Sequence, residues 1–185
     1  MNNLGAVQNM QNNPFVRRSL AAWLLAFLLG TSSCAALADS GDHDVTPDEA
    51  FIVAATQGGL GEIELSKLAL RTAASPEVRG FAARMVQEHT DNNASLASIA
   101  QAHNIALPIA PDSDHLQLRD KLIALHGPEF DKIYVEEMRT DHQKMADLLV
   151  SASTTVGSDD LRGFIKKTLP VVQRHLRMAQ DLKSG

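Results

Sequence analysis

Apolar residues recur at steps of three and four along four stretches of the chain. The first series is Phe51, Ala55, Gly58, Glu62, Leu65, Ala69, and the second is Val78, Phe81, Met85, His89, Asn92, Leu96, Ile99. A third runs Phe130, Tyr134, Met138, His142, Met145, Leu149, Ala152, and a fourth Leu161, Ile165, Thr168, Val172, His175, Met178, Leu182. That spacing keeps side chains on one face of an α-helix, so four long amphipathic helices are predicted. Each face is interrupted by a residue able to bind a metal ion or a proton: Glu62, His89, His142 and His175 in turn.

Capping chemistry sets the boundaries. Thr46-Pro47-Asp48-Glu49 offers an N-cap hydroxyl, a proline at the first helical position and a glutamate at the third, and predicts a helix from about 47 to 73. Ser75-Pro76-Glu77 repeats the device for a second helix ending near His103-Asn104. Asp112 or Ser113 caps a short helix from about 114 to 125, Gly127-Pro128-Glu129 starts the third long helix, to about 155, and Ser158-Asp159-Asp160 the fourth, to about 182. No segment alternates apolar and polar residues as a half-buried strand would. The expectation is an all-α chain: an antiparallel four-helix bundle over 47–183, with a short extra helix in the long crossover between helices two and three. The helix-turn-helix pair occurs twice, but no sequence repeat is evident.

The first 38 residues read differently. They hold no acidic residue; Arg17-Arg18 precedes the apolar run LAAWLLAFLLG, and Ala36-Leu37-Ala38 is a small-x-small cleavage site. This predicts a signal peptide cut after Ala38, followed by a flexible start over 39–46. The run is shorter than the roughly 20 apolar residues of a spanning helix, so no membrane span is expected after cleavage. A retained anchor, a twin-arginine signal and a lipoprotein box at Ser32-Ser33-Cys34 are the alternatives. The expected location is periplasmic or otherwise exported, with membrane association only if the leader is retained or lipidated.

Cleavage leaves about 147 residues, enough for one domain with a proper core, and removes Cys34, the only cysteine. Disulfides and thiolate metal sites are thereby excluded. Loss of Arg17 and Arg18 leaves 15 Lys and Arg against 22 acids, a formal net charge of −7 with no basic stripe. Nucleic acid is therefore not an expected partner; an envelope protein or a second copy of the chain is.

The four interrupting residues lie at similar heights. Glu62 precedes Ser75 by 13 residues and His89 follows it by 14; His142 precedes Gly157 by 15 and His175 follows it by 18. At about 1.5 Å per residue each hairpin levels its pair to within about one turn. All four converge at mid-height if the two tight turns share an end. One carboxylate and three imidazoles suit a borderline transition metal such as iron, zinc or copper. Without a metal they must satisfy each other or hold water, because unpaired burial is costly. Glu64 is the rival of Glu62 but falls off the stripe toward solvent. Glu88 and Asp141 each precede a candidate histidine and either orient it from behind or are solvated charges. Asp131 reads as a dipole and cap residue, Tyr134 as a hydroxyl within reach of a stripe histidine, and Asn92 as a hydrogen-bonding member of the layer, with Asn93 at its border. Gly58, Gly59 and Gly61 suggest close approach, a kink or room beside Glu62. Met85, Met138, Met145 and Met178 read as core filler. His103, His115 and His126, near helix ends or loops, are expected to be exposed.

The runs GEIELSKLAL, VRGFAARMVQEHTDNN, GPEFDKIYVEEMRTDH and LRGFIKKTLPVVQRHL together resemble the bacterial exported family known as domain of unknown function 4142, over about 50 to 182. The resemblance implies a ferritin-like four-helix bundle, and the family's recurring polar positions match Glu62, His89, Asp131, Tyr134, His142 and His175. Its members are often described as membrane or outer-membrane proteins without an established activity. Di-iron bundles carry Glu-x-x-His pairs. The residues three before His89, His142 and His175 are Val86, Arg139 and Val172, which speaks against ferroxidase chemistry. The functional expectation is an exported protein binding a transition metal or small ligand at the Glu/His layer, with no catalytic residue assigned. An envelope structural or interaction protein is the alternative, and a metal-dependent oxidoreductase ranks below both.

Overall fold

A computed structural model describes residues 44–182. The predicted leader, its cleavage point and most of the predicted flexible start lie outside the described residues. Five helices follow in order: α1 Pro47–Thr72, α2 Pro76–Ala102, α3 Ser113–Ile123, α4 Gly127–Thr155 and α5 Asp159–Asp181. Among the described residues there is no β-strand, and no helix is long and apolar enough to cross a membrane.

The caps are those the sequence offers. Thr46 Oγ1 accepts from the Glu49 amide at 3.2 Å, Ser75 Oγ from Glu77 and Val78, Asp112 Oδ1 from Asp114 and His115, and Ser158 Oγ from Leu161. Only α4 starts without a side-chain cap; Gly127 there has φ +61°, a left-handed turn that glycine adopts at no steric cost. Pro170 lies inside α5 without ending it. The residue is exposed, so water can satisfy the carbonyl it frees.

The four long helices form a closed circuit of packing, α1 on α2, α2 on α5, α5 on α4 and α4 on α1, while α3 lies over α1 and α4. Two aspartates lock the ends. Asp131, at the start of α4, accepts from the backbone N–H groups of Ala74 and Ser75 at 2.9 and 2.7 Å. Asp48, at the start of α1, accepts from those of Gly157 and Ser158 at 2.6 and 3.0 Å. The two tight turns therefore sit at opposite ends, not at the shared end on which the predicted convergence depended. Convergence survives because Glu62 and His142 lie near the middle of their own helices, so their height does not depend on which end is counted from. The 103–127 crossover runs the full length, from the end where His103 Nε2 meets Ser158 Oγ to the end held by Asp131.

The clamps expose a repeat that the sequence alone does not make evident. Asp48 and Asp131, Ser75 and Ser158, and Arg79 and Arg162 are each separated by 83 positions, and in both hairpins the arginine Nη1 donates to two carbonyls of the preceding turn. The same offset superposes Arg79-Gly80-Phe81 on Arg162-Gly163-Phe164. It also pairs Val78 with Leu161 and Ala73 with Val156, all buried.

The core is split in two. One apolar cluster, around Leu65, Phe81, Met85, Phe130, Tyr134 and Met138, fills the end near the α1–α2 turn. Another, around Phe51, Ile52, Leu96, Leu149, Phe164 and Val172, fills the opposite end. Met85 and Met138 are wholly buried in the first and Met145 and Met178 pack at the cluster margins, which accords with their reading as filler.

Candidate metal centre

Between the two apolar clusters lie Glu62, His89, His142 and His175, none more than 5% exposed. The three imidazole rings sit 5.3 to 5.5 Å apart, centroid to centroid. One nitrogen from each lies within 4.8 Å of the others. The structure thus brings together all four residues singled out by the stripe pattern.

Each ring is held by a contact that determines what it offers inward. His142 Nδ1 donates to the Met138 carbonyl at 2.8 Å and lies 3.2 Å from Glu62 Oε1. A carbonyl only accepts, so Nδ1 carries a proton, and in the neutral ring Nε2 is the nitrogen with the lone pair. His175 Nε2 lies 2.8 Å from Glu88 Oε2. A carboxylate only accepts, so Nε2 keeps its proton and donates it, and Nδ1 of the neutral ring is bare. His89 Nε2 is 2.7 Å from Glu62 Oε2 but lacks the alignment of a hydrogen bond. Glu62 Oε2, His89 Nε2, His142 Nε2 and His175 Nδ1 are consequently all buried without a hydrogen-bond partner.

The electrostatics separate the four. Burial raises the Glu62 carboxyl, but the facing His142 and His89 rings outweigh it and lower its pKa to about 2. Burial disfavours the charged form of His89, yet Glu62 overrides it and the pKa is raised. His175 goes the other way: burial, reinforced by the neighbouring His89 and His142, lowers it to about 4. Glu88 is lowered despite partial burial, because His175, Arg174 and Arg84 surround it. The layer thus holds a carboxylate, a neutral His175 and a His89 whose proton Glu62 favours. An ionised Glu62 and a neutral His175 fit a borderline transition ion, and His89 joins them by giving up the proton that Glu62 favours.

The residues expected behind the ligands divide. Glu88 does back a histidine: its Oε2 accepts from both His175 and Arg174, and its Oε1 from Arg84. Asp141 backs no histidine of the layer; its Oδ2 lies 3.6 Å from His115 Nε2. Asn92 accepts from Thr168 Oγ1 at 3.1 Å, tying α2 to α5. Tyr134 reaches no histidine: its hydroxyl meets Ser66 Oγ at 2.8 Å, two helical turns from His142. Asp131 lies farther still and serves the α1–α2 turn, not its own helix. Asn93 is packed against Gly59 with both its amide atoms unpartnered. Glu64 pairs with Arg119 of α3 at 3.0 Å.

His115 corrects an expectation. It was to be exposed, yet its side chain is 12% accessible. The reason is Gly61: the His115 ring occupies the space a Cβ would take, so α3 lies close along α1. A glycine next to Glu62 was the available signal, but its partner across 54 positions is invisible without the fold. His103 and His126 are partly or fully open to solvent, as expected at helix ends.

Among solved structures, the chain is similar to CopM in the Cu(II)-bound form, at 16% identity and TM-score 0.62, covering 72% of this chain and 93% of that one. CopM in the Ag-bound form, obtained by co-crystallization, gives 17% and 0.60, covering 72% and 92%. At that identity the likeness shows the fold. No curated protein matches the chain. A family model, the domain of unknown function DUF4142, matches residues 34–182, and the chain belongs to that family.

Proposed function

We propose that this is an exported metal-binding protein, a ferritin-like four-helix bundle that holds one transition ion between its apolar halves. Glu62, His89, His142 and His175 supply the donors, and Glu88 orients His175. The observation that carries this reading is that His142 Nε2 and His175 Nδ1 are both buried without a hydrogen-bond partner. Each is pinned inward because the other nitrogen of its ring is engaged. The contact between Glu62 Oε2 and His89 Nε2, at 2.7 Å, compensates two of the four buried groups; nothing in the protein compensates the other two. Buried polar groups left so are costly, and a shared cation removes the cost.

A bound ion supplies positive charge and Lewis acidity. The chain's own part is to hold three rings and one carboxylate in place and to exclude water with the clusters above and below. CopM, described as binding Ag and Cu(II), makes copper the first metal to try. Protein isolated from its native compartment takes up about one tightly held equivalent of Cu(II), Zn(II) or Fe(II), and His89→Ala with His142→Ala abolishes that tight uptake. No stoichiometric uptake of any of these would sink the reading.

The Glu62–His89 contact favours a second reading, in which the layer fixes helix register in an envelope structural protein that binds an envelope partner or a second copy of the chain. That protein would melt at the same temperature with and without metal, whereas a ligand at 100 times its Kd adds about 2.7 kcal/mol.

A further inference from the structure

The layer is closed to solvent, so an ion needs a way in. Glu62 forms part of the wall of a cavity of about 490 Å³ bounded by residues of α1, α3 and α4. Asp112, Asp114, Glu137 and Asp141 line it, opposed by Lys144. A concave site lined by one sign of charge concentrates counter-ions and speeds their arrival.

His115 makes this more than an acidic surface. Its Nδ1 lies 2.8 Å from Asp112 Oδ2 and donates to it, so the lone pair of the neutral ring is on Nε2. That Nε2 is buried with no hydrogen-bond partner, 3.6 Å from Asp141 Oδ2. The separation is long for a hydrogen bond. It is near the roughly 3.4 Å between nitrogen and oxygen donors on one tetrahedral ion with bonds of about 2.0 to 2.2 Å. Asp112 holds this ring as Glu88 holds His175, with one nitrogen bound by a carboxylate and the other presented bare. Glu62, 2% exposed, stands at the inner wall of the same cavity with Oε2 lacking a hydrogen-bond partner.

We propose that His115 and Asp141 form an outer cation site, and that an ion held there passes by way of Glu62 into the histidine layer. The ion is a borderline divalent one, as the imidazole and carboxylate donors require. Gly61 is what admits the ring: any side chain there would push His115, and α3 with it, away from the cavity. The inference rests on the inner site being a metal site.

The test uses the full chain, freed of metal and mixed with Cu(II). Final stoichiometry is read by equilibrium dialysis and the rate of uptake by stopped-flow absorbance. Asp141→Asn and His115→Gln, alone and together, are expected to retain the tight inner equivalent, lose a weaker second one and load about tenfold to a hundredfold more slowly. Lys144→Glu, at a side chain 70% exposed and safe for folding, is expected to load faster, with the gain erased by salt. His89→Ala with His142→Ala is expected to keep the weak equivalent only. If wild type binds its tight equivalent while the Asp141 and His115 variants load at the same rate and keep the second equivalent, the outer site is overturned and the inner one stands. If wild type takes up none of Cu(II), Zn(II) and Fe(II), both are overturned.

Discussion

The α1–α2 and α4–α5 hairpins are built alike at their turns and differently at their middles. The turns share an aspartate clamp from the opposing hairpin, a serine cap and an arginine folded back on the turn carbonyls, all at the offset of 83 positions. Carried to the middle, that offset sets Glu62 against Met145, His89 against Val172, Gly59 against His142 and Asn92 against His175. No polar donor of the layer faces its own equivalent. Each hairpin supplies two of the four groups, from positions the other fills with a thioether, an aliphatic chain, nothing or an amide. Matched ends close a fold, and they need backbone satisfaction that any pair of hairpins needs. Mismatched middles have no such general cause, which is why we assign the function there.

The largest effects should come from the ends. Hydrogen bonds to a charged group are worth about 1.5 to 3 kcal/mol each. Asp131 makes two of them at 3% exposure, whereas the equivalent Asp48 is half-buried. Asp131→Ala is expected to cost about 3 kcal/mol or more and Asp48→Ala about 1 to 2, because water replaces the carboxylate more easily at the open end. Urea denaturation of both variants measures the difference. Equal costs would mean that burial does not distinguish the clamps.

Those clamps mark the boundary of what sequence pattern reveals. Helix number, caps and buried stripes are local, repeating every three to four residues, and the helix ends fall within two residues of the caps that announce them. The converging quartet was legible for a related reason: stripe membership fixes a face, and a position near the middle of a helix fixes a height whichever end its turn lies at. What pattern could not show was partnership across the fold. Asp131 looked like the cap of its own helix and serves another's; Tyr134 was close to His142 in sequence, yet eight positions along a helix is about 12 Å. His115 sits on a short connecting helix whose placement depends on a glycine elsewhere, and side chains on connectors carry no stripe to place them. The repeat escaped because few identities survive in it, and its equivalences become visible only when both clamps are seen together.

A smaller effect separates the middles by pH. Glu62 and His89 in the first hairpin are shifted toward their charged forms, and His175 in the second toward its neutral form. A lowered histidine binds its proton more readily unfolded than folded. In metal-free protein His175 therefore withdraws stability as pH falls from its ordinary value of 6.5 to about 4. Glu62, lowered from 4.5 to about 2, contributes stability above 4.5 that is lost as pH falls through that interval. His89, raised, contributes stability fully present below 6.5 and lost as pH rises through its folded value. His175→Gln should flatten the decline between pH 6.5 and 4, and His89→Gln should remove a loss on the alkaline side. Urea midpoints from pH 4 to 8 with a chelator present decide it; a His175→Gln profile parallel to wild type would contradict the assignment.

The smallest effect tests the repeat with a methyl group. Gly80 and Gly163 are equivalent by the same offset, both lie inside helices, and a Cβ added at either meets nothing within 4 Å. Gly80→Ala and Gly163→Ala should each stabilise the protein by about 0.5 to 1 kcal/mol, since alanine loses less backbone freedom in a helix. Gly59 and Gly61 belong to the mismatched middle, where an added Cβ runs into Asn93 and His115 respectively. There the same helical gain is outweighed by displacement of a packed side chain, a cost of about 1 to 3 kcal/mol. Four alanine variants melted side by side should split by sign, the turn pair upward and the middle pair downward. Gly59→Ala and Gly61→Ala should also differ from one another, because Asn93 belongs to α2 of the same hairpin, whereas His115 brings α3 and the cavity with it. A stabilised Gly61→Ala would show that α3 can lift from α1 without cost, and the close approach that buries His115 would then have no energetic weight.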